Sequence, residues 1–301
     1  MEPKIKALIY GSNGQDGYYL NKIFERENIE CLSVSRRGNT FHGDVGDYDL
    51  VEKQIKEFQP AYIFHFAAKS STQHQALFEN HQTICTGTLN ILEAVKLHCP
   101  KAKVFISGSA MQFKNTGRPI DEQTPFDASS PYAVARIHSV YAARYYRNKF
   151  GLKVYVGYFF NHDSPLRTEQ HVNQKIVSAI KRISKGSEEK LELGNIDVRK
   201  EFSFAGDSVE AAWVLVNQDS ITEAVIGSGN AFSIKDWVEY CFTKIGKNWQ
   251  DHVILKDNFI PEYDILVCNP VVIKSLGWKQ KVNFHQLADI MMENSTVSNE
   301  I

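Results

Sequence analysis

The stretch that most constrains this chain is Leu8-Ile9-Tyr10-Gly11-Ser12-Asn13-Gly14-Gln15-Asp16-Gly17-Tyr18-Tyr19-Leu20. A buried apolar run breaks into a glycine loop and resumes as a helix. Gly11 permits the sharp exit from a strand, Gly14 lets backbone N–H groups approach a pyrophosphate, and Gly17 lets the next helix pack closely on the sheet. The spacing G-x-x-G-x-x-G differs by one residue from G-x-G-x-x-G, so a turn that merely needs flexible backbone is the alternative reading of the loop.

The punctuation that follows is regular. Apolar runs at 5–10, 29–35, 61–68 and 103–106 alternate with helical patterns at 16–27, 49–58 and 78–98. This alternation predicts an α/β chain, a Rossmann-type doubly wound parallel sheet. In the long helix Ile84, Leu89, Ile91, Leu92 and Val95 form the expected buried face, with Thr86-Gly87-Thr88 allowing close packing. Ligands in such sheets lie beyond the carboxyl ends of the strands, which places small Ala67 and Ala68 beneath one. His65, inside an apolar strand, reads as a packed core residue. The second strand ends in Ser35-Arg36-Arg37-Gly38, where an acidic residue would meet a ribose 2′-hydroxyl and a basic one a 2′-phosphate. Two arginines and no carboxylate favour NADP over NAD, with a solvated turn as the alternative.

Composition narrows the classes further. With 34 basic and 35 acidic residues the net charge is -1, which gives no bulk attraction for nucleic acid or an anionic membrane. Met1-Glu2-Pro3-Lys4 shows no leader pattern and no apolar run is long enough to span a bilayer, so a cytoplasmic protein is expected. Five scattered cysteines without C-x-x-C spacing fit reduced thiols, and the histidines show no H-x-x-x-H pair, so no metal site is expected.

Ser130-Pro131-Tyr132-Ala133-Val134-Ala135-Arg136 opens a strong helix running to Phe150. Tyr132 and Arg136 are four apart and share a face, so the cation stands one turn from the phenol. A phenol with an ordinary pKa near ~10 needs such a cation to act as a base near neutrality. The alternative is an amphipathic helix with both residues in solvent.

Together, Gly11-x-x-Gly14-x-x-Gly17, Asp44, Ala67-Ala68, the serine-bearing strand tip at Ser107 and Ser109, and Tyr132-x-x-x-Arg136 resemble an extended short-chain dehydrogenase/reductase of the nucleotide-sugar epimerase and dehydratase group. The segments Gly11 to Gly17, Phe159-Phe160-Asn161-His162-Asp163-Ser164-Pro165, Leu193-Gly194-Asn195-Ile196-Asp197 and Leu276-Gly277-Trp278 are similar to motifs of GDP-mannose 4,6-dehydratases. The resemblance implies that Gly11, Asn13, Gly14, Gln15, Asp16, Gly17, Arg36, Arg37, Asp44, Val45, Ala67, Ala68, Tyr132, Arg136 and His162 bind the cofactor. It implies that Tyr132 is the catalytic base, assisted by Arg136, Ser107 or Ser109, and that Asn161, Lys175, Asn195, Lys200 and Glu262 face the nucleotide sugar.

Three positions depart from the family. Arg136 stands where family members carry a lysine, and Gly108 and Ala110 where they carry Thr or Ser and a glutamate. Arginine keeps the charge but does not release its proton. Ala110 supplies neither the base at C5 nor the acid at the C6 hydroxyl that dehydration requires. The expected activity is therefore NADP-dependent hydride transfer at C4 of a nucleotide-activated sugar, a GDP-sugar by resemblance, in a reductase, dehydrogenase or epimerase. Dehydration proper is one alternative; a degenerate paralogue that binds NADP or sugar nucleotide as a regulatory partner is another.

In the second half, helices are expected at 171–184, 206–217 and 283–293, with a short strand at 191–193 and Ser233 capping a helix to Lys244. Residues 1–165 would form mainly the cofactor-binding domain, 166–293 mainly a substrate lobe with interleaved segments, and 294–301 a frayed tail. The short loop 37–43 argues against the family's tetramer, whereas a homodimer or other homo-oligomer through helices 78–98 and 131–150 is implied by the resemblance.

Overall fold

The computed structural model describes residues 4–38 and 41–293; the expected tail, residues 1–3 and the centre of the 37–43 loop lie outside the described residues. In chain order the first half reads β1 (Lys6–Tyr10), α1 (Gln15–Arg26), β2 (Glu30–Ser35), β3 (Phe41–His42), α2 (Tyr48–Phe58), β4 (Tyr62–His65), α3 (Leu77–Asn80), α4 (Gly87–His98), β5 (Lys103–Ser109), α5 (Pro131–Phe150) and β6 (Lys153–Phe159). The second half reads β7 (His162–Asp163), α6 (Val172–Ser184), β8 (Leu191–Leu193), β9 (Arg199–Glu201), β10 (Ser203–Phe204), α7 (Ala205–Val216), β11 (Glu223–Ile226), β12 (Ala231–Ser233), α8 (Ile234–Lys244), β13 (Val253–Leu255), β14 (Ile265–Leu266), α9 (Val271–Ser275) and α10 (Phe284–Glu293).

A seven-stranded parallel sheet in the order β11-β6-β5-β4-β1-β2-β3 forms the centre. Its strands are apolar on both faces because helices cover both. One face packs Val104, Ile106 and Val154 against Ile91, Val95, Val140 and Ala143; the other packs Ile9, Phe64 and Phe105 against Leu20, Phe24, Val209 and Ala212. The order of strand addition reverses between β1 and β4, which run parallel, and the crevice there is where a doubly wound sheet binds ligands. A separate core of Ile176, Ile180, Trp237, Phe242, Phe284 and Leu287 builds the second lobe from α6, α8 and α10.

The long helix differs from expectation in two respects. It is α3 and α4 joined by a π-helical turn, His81–Thr86, and its buried face centres on Thr88, Ile91, Leu92 and Val95. Leu89 lies about 100° round the helix from Thr88, so it is 37% exposed rather than buried. Gly87 does allow close packing: a Cβ there would meet Val45 Cγ1 at 2.8 Å. No described helix is long and apolar enough to cross a membrane.

Candidate active site

Two compartments meet at the carboxyl ends of the strands. The first, about 330 Å³, is lined by Gly11, Asn13, Gly14, Arg36, Arg37, Asp44, Val45, Ala67 and Ala68. The second, about 850 Å³, opens beyond β5 and β6 toward the second lobe and is lined by Asp16, Ser107, Ser109, Tyr132, Arg136, Asn161, His162, Lys200 and Glu262 among others. Phe66, Ala68 and Lys69 line both, so the two form one groove.

The glycine loop is built for contact with a ligand. Gly11 has φ +91°, and a Cβ on it would stand 2.5 Å from Ala67 N, so no larger residue fits. A Cβ on Gly14 would meet only Gly11 O, at 3.5 Å; its open side faces the first compartment. Gln15 and Gly17 line neither compartment. Gln15 instead ties the loop to the strand ends, donating to His162 O at 3.1 Å and accepting from Ser164 Oγ at 2.9 Å. Gly17 packs on Ser12, as its expected role in helix packing requires.

Buried His162 pairs with partly exposed Asp16, with His162 Nε2 3.0 Å from Asp16 Oδ1 and Nδ1 2.7 Å from Phe160 O. A protonated ring donates to both oxygens. Burial works against both charges, yet the pairing prevails: it lowers the Asp16 pKa below the usual carboxylate value and raises that of His162 above the usual imidazole value.

Ser130 caps α5 by accepting from Ala133 N at 3.1 Å, and Pro131 fills the first helical position. This start aims Tyr132 and Arg136 into the second compartment. Arg136 is only 4% exposed, which excludes the solvated-helix alternative for it. Its Nη1 donates to Ser107 O and, at 2.8 Å, to Ser107 Oγ, while its guanidinium centre lies 5.1 Å from the Tyr132 ring centroid. Ser107 Oγ in turn donates to His65 O at 2.9 Å, so its lone pair and its proton are both committed. Ser109 differs. Its Oγ accepts from Met111 N at 3.2 Å, which leaves the hydroxyl proton for a ligand. His65 is fully buried, and burial, then the Arg136 charge, push its pKa down to about 3; it is the packed core residue expected.

The far end of the second compartment is basic; of the two lysines that sequence reasoning assigned there, Lys175 and Lys200, only Lys200 lines it, and Arg167 joins it. Asp163 accepts from Asn173 Nδ2 at 2.6 Å and faces Arg167 Nε at 3.5 Å, and Arg167 Nη2 donates to His162 O at 3.2 Å. His171 lies 3.3 Å from Arg167 Nη1, and burial followed by the Arg167 charge holds its pKa down to about 4. Lys200 is buried, which lowers its pKa against the opposing pull of Asp163. Two cations thus face one carboxylate. Arg136 Nε and Asn173 Oδ1 are buried without a hydrogen-bond partner among the described residues, and both residues line this compartment.

Glu262 lines the same compartment, accepting from Thr72 Oγ1 across its mouth. Lys175 and Asn195 do not line it: Lys175 Nζ donates to Glu192 O at 2.6 Å, and Asn195 Oδ1 accepts from Asp197 N at 2.8 Å. Lys69, Ser70, Ser71 and Gln73 are lining residues that the sequence reading missed, as is Glu79 in the first compartment. Arg167 had a signal, because it sits four residues after Asp163 and two after the Asn161 to Pro165 motif.

A family model for GDP-mannose 4,6 dehydratase matches residues 25–291. GDP-mannose 4,6 dehydratase 1 of Arabidopsis thaliana is 32% identical over 325 aligned positions, covering 97% of this chain and 90% of the relative. Among solved structures, dTDP-glucose 4,6-dehydratase from Bacillus anthracis in complex with NAD superimposes with a TM-score of 0.84 at 19% identity, covering 96% of each chain. RMD from Pseudomonas aeruginosa complexed with NADPH gives 0.85 at 20%, covering 96% of this chain and 98% of that one. At such identities the structural matches establish the fold alone.

Proposed function

The chain belongs to the GDP-mannose 4,6-dehydratase family, and from that premise we propose that it transfers hydride at C4 of a nucleotide-activated sugar, a GDP-sugar by family, with NADP(H) as cofactor. The observation that carries this reading is the convergence of Tyr132, buried Arg136 and Ser109 in the compartment that adjoins the glycine-lined one. Residues 1–165 serve mainly the cofactor and 166–293 mainly the sugar nucleotide.

A dinucleotide suits the first compartment. The open side of Gly14 would hold the pyrophosphate, Ala67 and Ala68 leave room beneath it, and Asp44 and Val45 border the adenosine end. Solved relatives in complex with NAD or NADPH support a nicotinamide cofactor, and Arg36 and Arg37 beyond β2 favour the 2′-phosphate form. When bound, the nicotinamide supplies or accepts the hydride.

The protein's part is proton transfer and positioning. Tyr132 takes the proton of the 4-hydroxyl in oxidation and returns it to a 4-ketone in reduction, with the Arg136 guanidinium 5.1 Å from its ring centroid. Arg136 does not itself relay the proton. Ser109 donates to the same sugar oxygen. Arg167 and Lys200 complement a diphosphate, and Asn161 and Glu262 border the sugar.

Dehydration is the second reading, favoured by the match along most of the chain. It needs a base at C5 and an acid at the C6 hydroxyl that Ala110 cannot provide, which is why hydride transfer alone is preferred. Exposed Phe78, Leu97, Val134, Tyr141, Tyr145 and Phe150 on α3, α4 and α5 support a homodimer through this face. The scattered free thiols suit the cytoplasm.

The test is to identify the nucleotide released on denaturation, then incubate the loaded protein with GDP-mannose and with its 4-keto-6-deoxy product. Oxidation of NADPH by the 4-keto sugar is expected. Release of the 4-keto-6-deoxy sugar from GDP-mannose would establish the dehydratase instead. Binding of both ligands without any redox change would leave a regulatory binding protein.

A further inference from the structure

The tip of β2 offers two arginines and no carboxylate, but the fold brings a carboxylate to it from elsewhere. Glu79 of α3 reaches across the first compartment, and its Oε1 accepts from Arg36 Nη2 at 2.9 Å, over a separation of 43 residues. Arg36 and Glu79 both line this compartment. Their side chains are 48% and 39% exposed, so the pair sits at a solvated rim where either partner can be exchanged.

The two charges pull a cofactor in opposite directions. A 2′-phosphate carries nearly two negative charges and is recognised by a guanidinium fork. Here one nitrogen of that fork, Arg36 Nη2, already serves Glu79, and the carboxylate beside it repels the phosphate. A ribose 2′-hydroxyl, by contrast, is a neutral donor that a carboxylate accepts.

Resting on the reading that this compartment holds a nicotinamide dinucleotide, we propose that Glu79 is a cofactor-discriminating residue: it competes with the 2′-phosphate for Arg36 and so brings the affinities for NADP(H) and NAD(H) together. Preference is then set jointly by the tip of β2 and by α3. Arg37, which lines the same compartment, remains as the second phosphate partner.

Dissociation constants for NADPH and NADH, measured by calorimetry on the full chain at two salt concentrations, test this. Glu79→Gln should tighten NADPH about tenfold, the effect of one neighbouring charge, and leave NADH within twofold or weaker. The gain should shrink at high salt. Arg36→Gln should weaken NADPH, and adding Glu79→Gln to it should then recover less than Glu79→Gln gains alone. An NADPH-to-NADH ratio unchanged by Glu79→Gln, in a protein that binds both, overturns the role of Glu79. A wild-type protein that binds neither overturns the dinucleotide reading itself.

Discussion

Replacing Gly108 by alanine tests whether the family's hydroxyl at this position is excluded by packing. A Cβ on Gly108 would stand 2.6 Å from Tyr158 Cδ1 and 3.1 Å from Gln112 Oε1. The Tyr158 ring is fully buried and held in place: its hydroxyl donates to Glu223 at 2.6 Å and accepts from Arg144 at 3.3 Å, while Glu223 also accepts from Arg147 at 2.9 Å. Overpacking of this kind costs about 1–3 kcal/mol. Should the ring swing away, losing its hydrogen bond to a carboxylate adds about 1.5–3 kcal/mol. The sum, roughly 2.5–6 kcal/mol, corresponds to a fall in Tm of about 4–10 °C for a chain of this size.

Calorimetric unfolding of Gly108→Ala, Tyr158→Ala and the double variant measures it. The double variant should recover about 2 kcal/mol relative to additivity, because the added methyl then has space. Gly108→Thr should be worse than alanine, so restoring the family residue alone would not restore its chemistry. A Gly108→Ala protein within about 0.5 kcal/mol of wild type would refute the packing argument.

Three further outcomes are expected. Tyr132→Phe should lower turnover of a 4-keto sugar nucleotide by about 10²–10⁴-fold; equal turnover would remove Tyr132 as the proton carrier. Asp16→Asn should cost about 3 kcal/mol near pH 6, where the pair with His162 is charged. The raised His162 pKa contributes stability that is full below its unfolded value and lost as pH rises through the folded value, and the lowered Asp16 pKa contributes stability lost as pH falls through its own. The difference in Tm between wild type and Asp16→Asn should therefore narrow toward both pH 9 and pH 3, and a flat difference would refute the pairing. Glu201 is fully buried and accepts from Ser228 N at 2.5 Å, Ser228 Oγ at 3.1 Å and Cys268 N at 2.7 Å. Glu201→Ala should cost about 3–6 kcal/mol in urea unfolding by stranding these donors, and a loss under 1 kcal/mol would count against it.

The sheet was legible because parallel strands covered on both faces must be apolar runs, and the loops between them carry glycine, proline and capping residues. Local site geometry was legible for the same reason: Tyr132 and Arg136 meet through helix spacing alone. Features that depend on distant parts of the chain were not. Nothing in the tip of β2 announces Glu79, and nothing in the run Ser107 to Ala110 announces the ring of Tyr158 on the neighbouring strand. Lys175 and Asn195 show the converse case, because a sequence segment similar to a pocket segment does not fix which way its side chains hydrogen-bond.

The three departures from the family bear on whether this site has decayed or been rebuilt. Decay would leave holes at the altered positions. Instead the space beside Gly108 is filled by Tyr158, whose hydroxyl is engaged, and Ala110 is 3% exposed within the core cluster that includes Phe113 and Tyr158. Gln112 accepts from Ser109 N at 2.8 Å and so holds the backbone that carries the remaining hydroxyl. Arg136 has anchored its fork on Ser107, where a lysine would reach only as a point charge. The end of β5 is thus a consistent packing solution in which no carboxylate stands at Ala110 and the Arg136 guanidinium is held on Ser107. Ala110 is 3% exposed yet also lines the second compartment, so a glutamate there stands at the cavity wall, and a gain of dehydration by Ala110→Glu alone would show that the missing carboxylate is the single obstacle. Hydride transfer at C4 needs no such carboxylate.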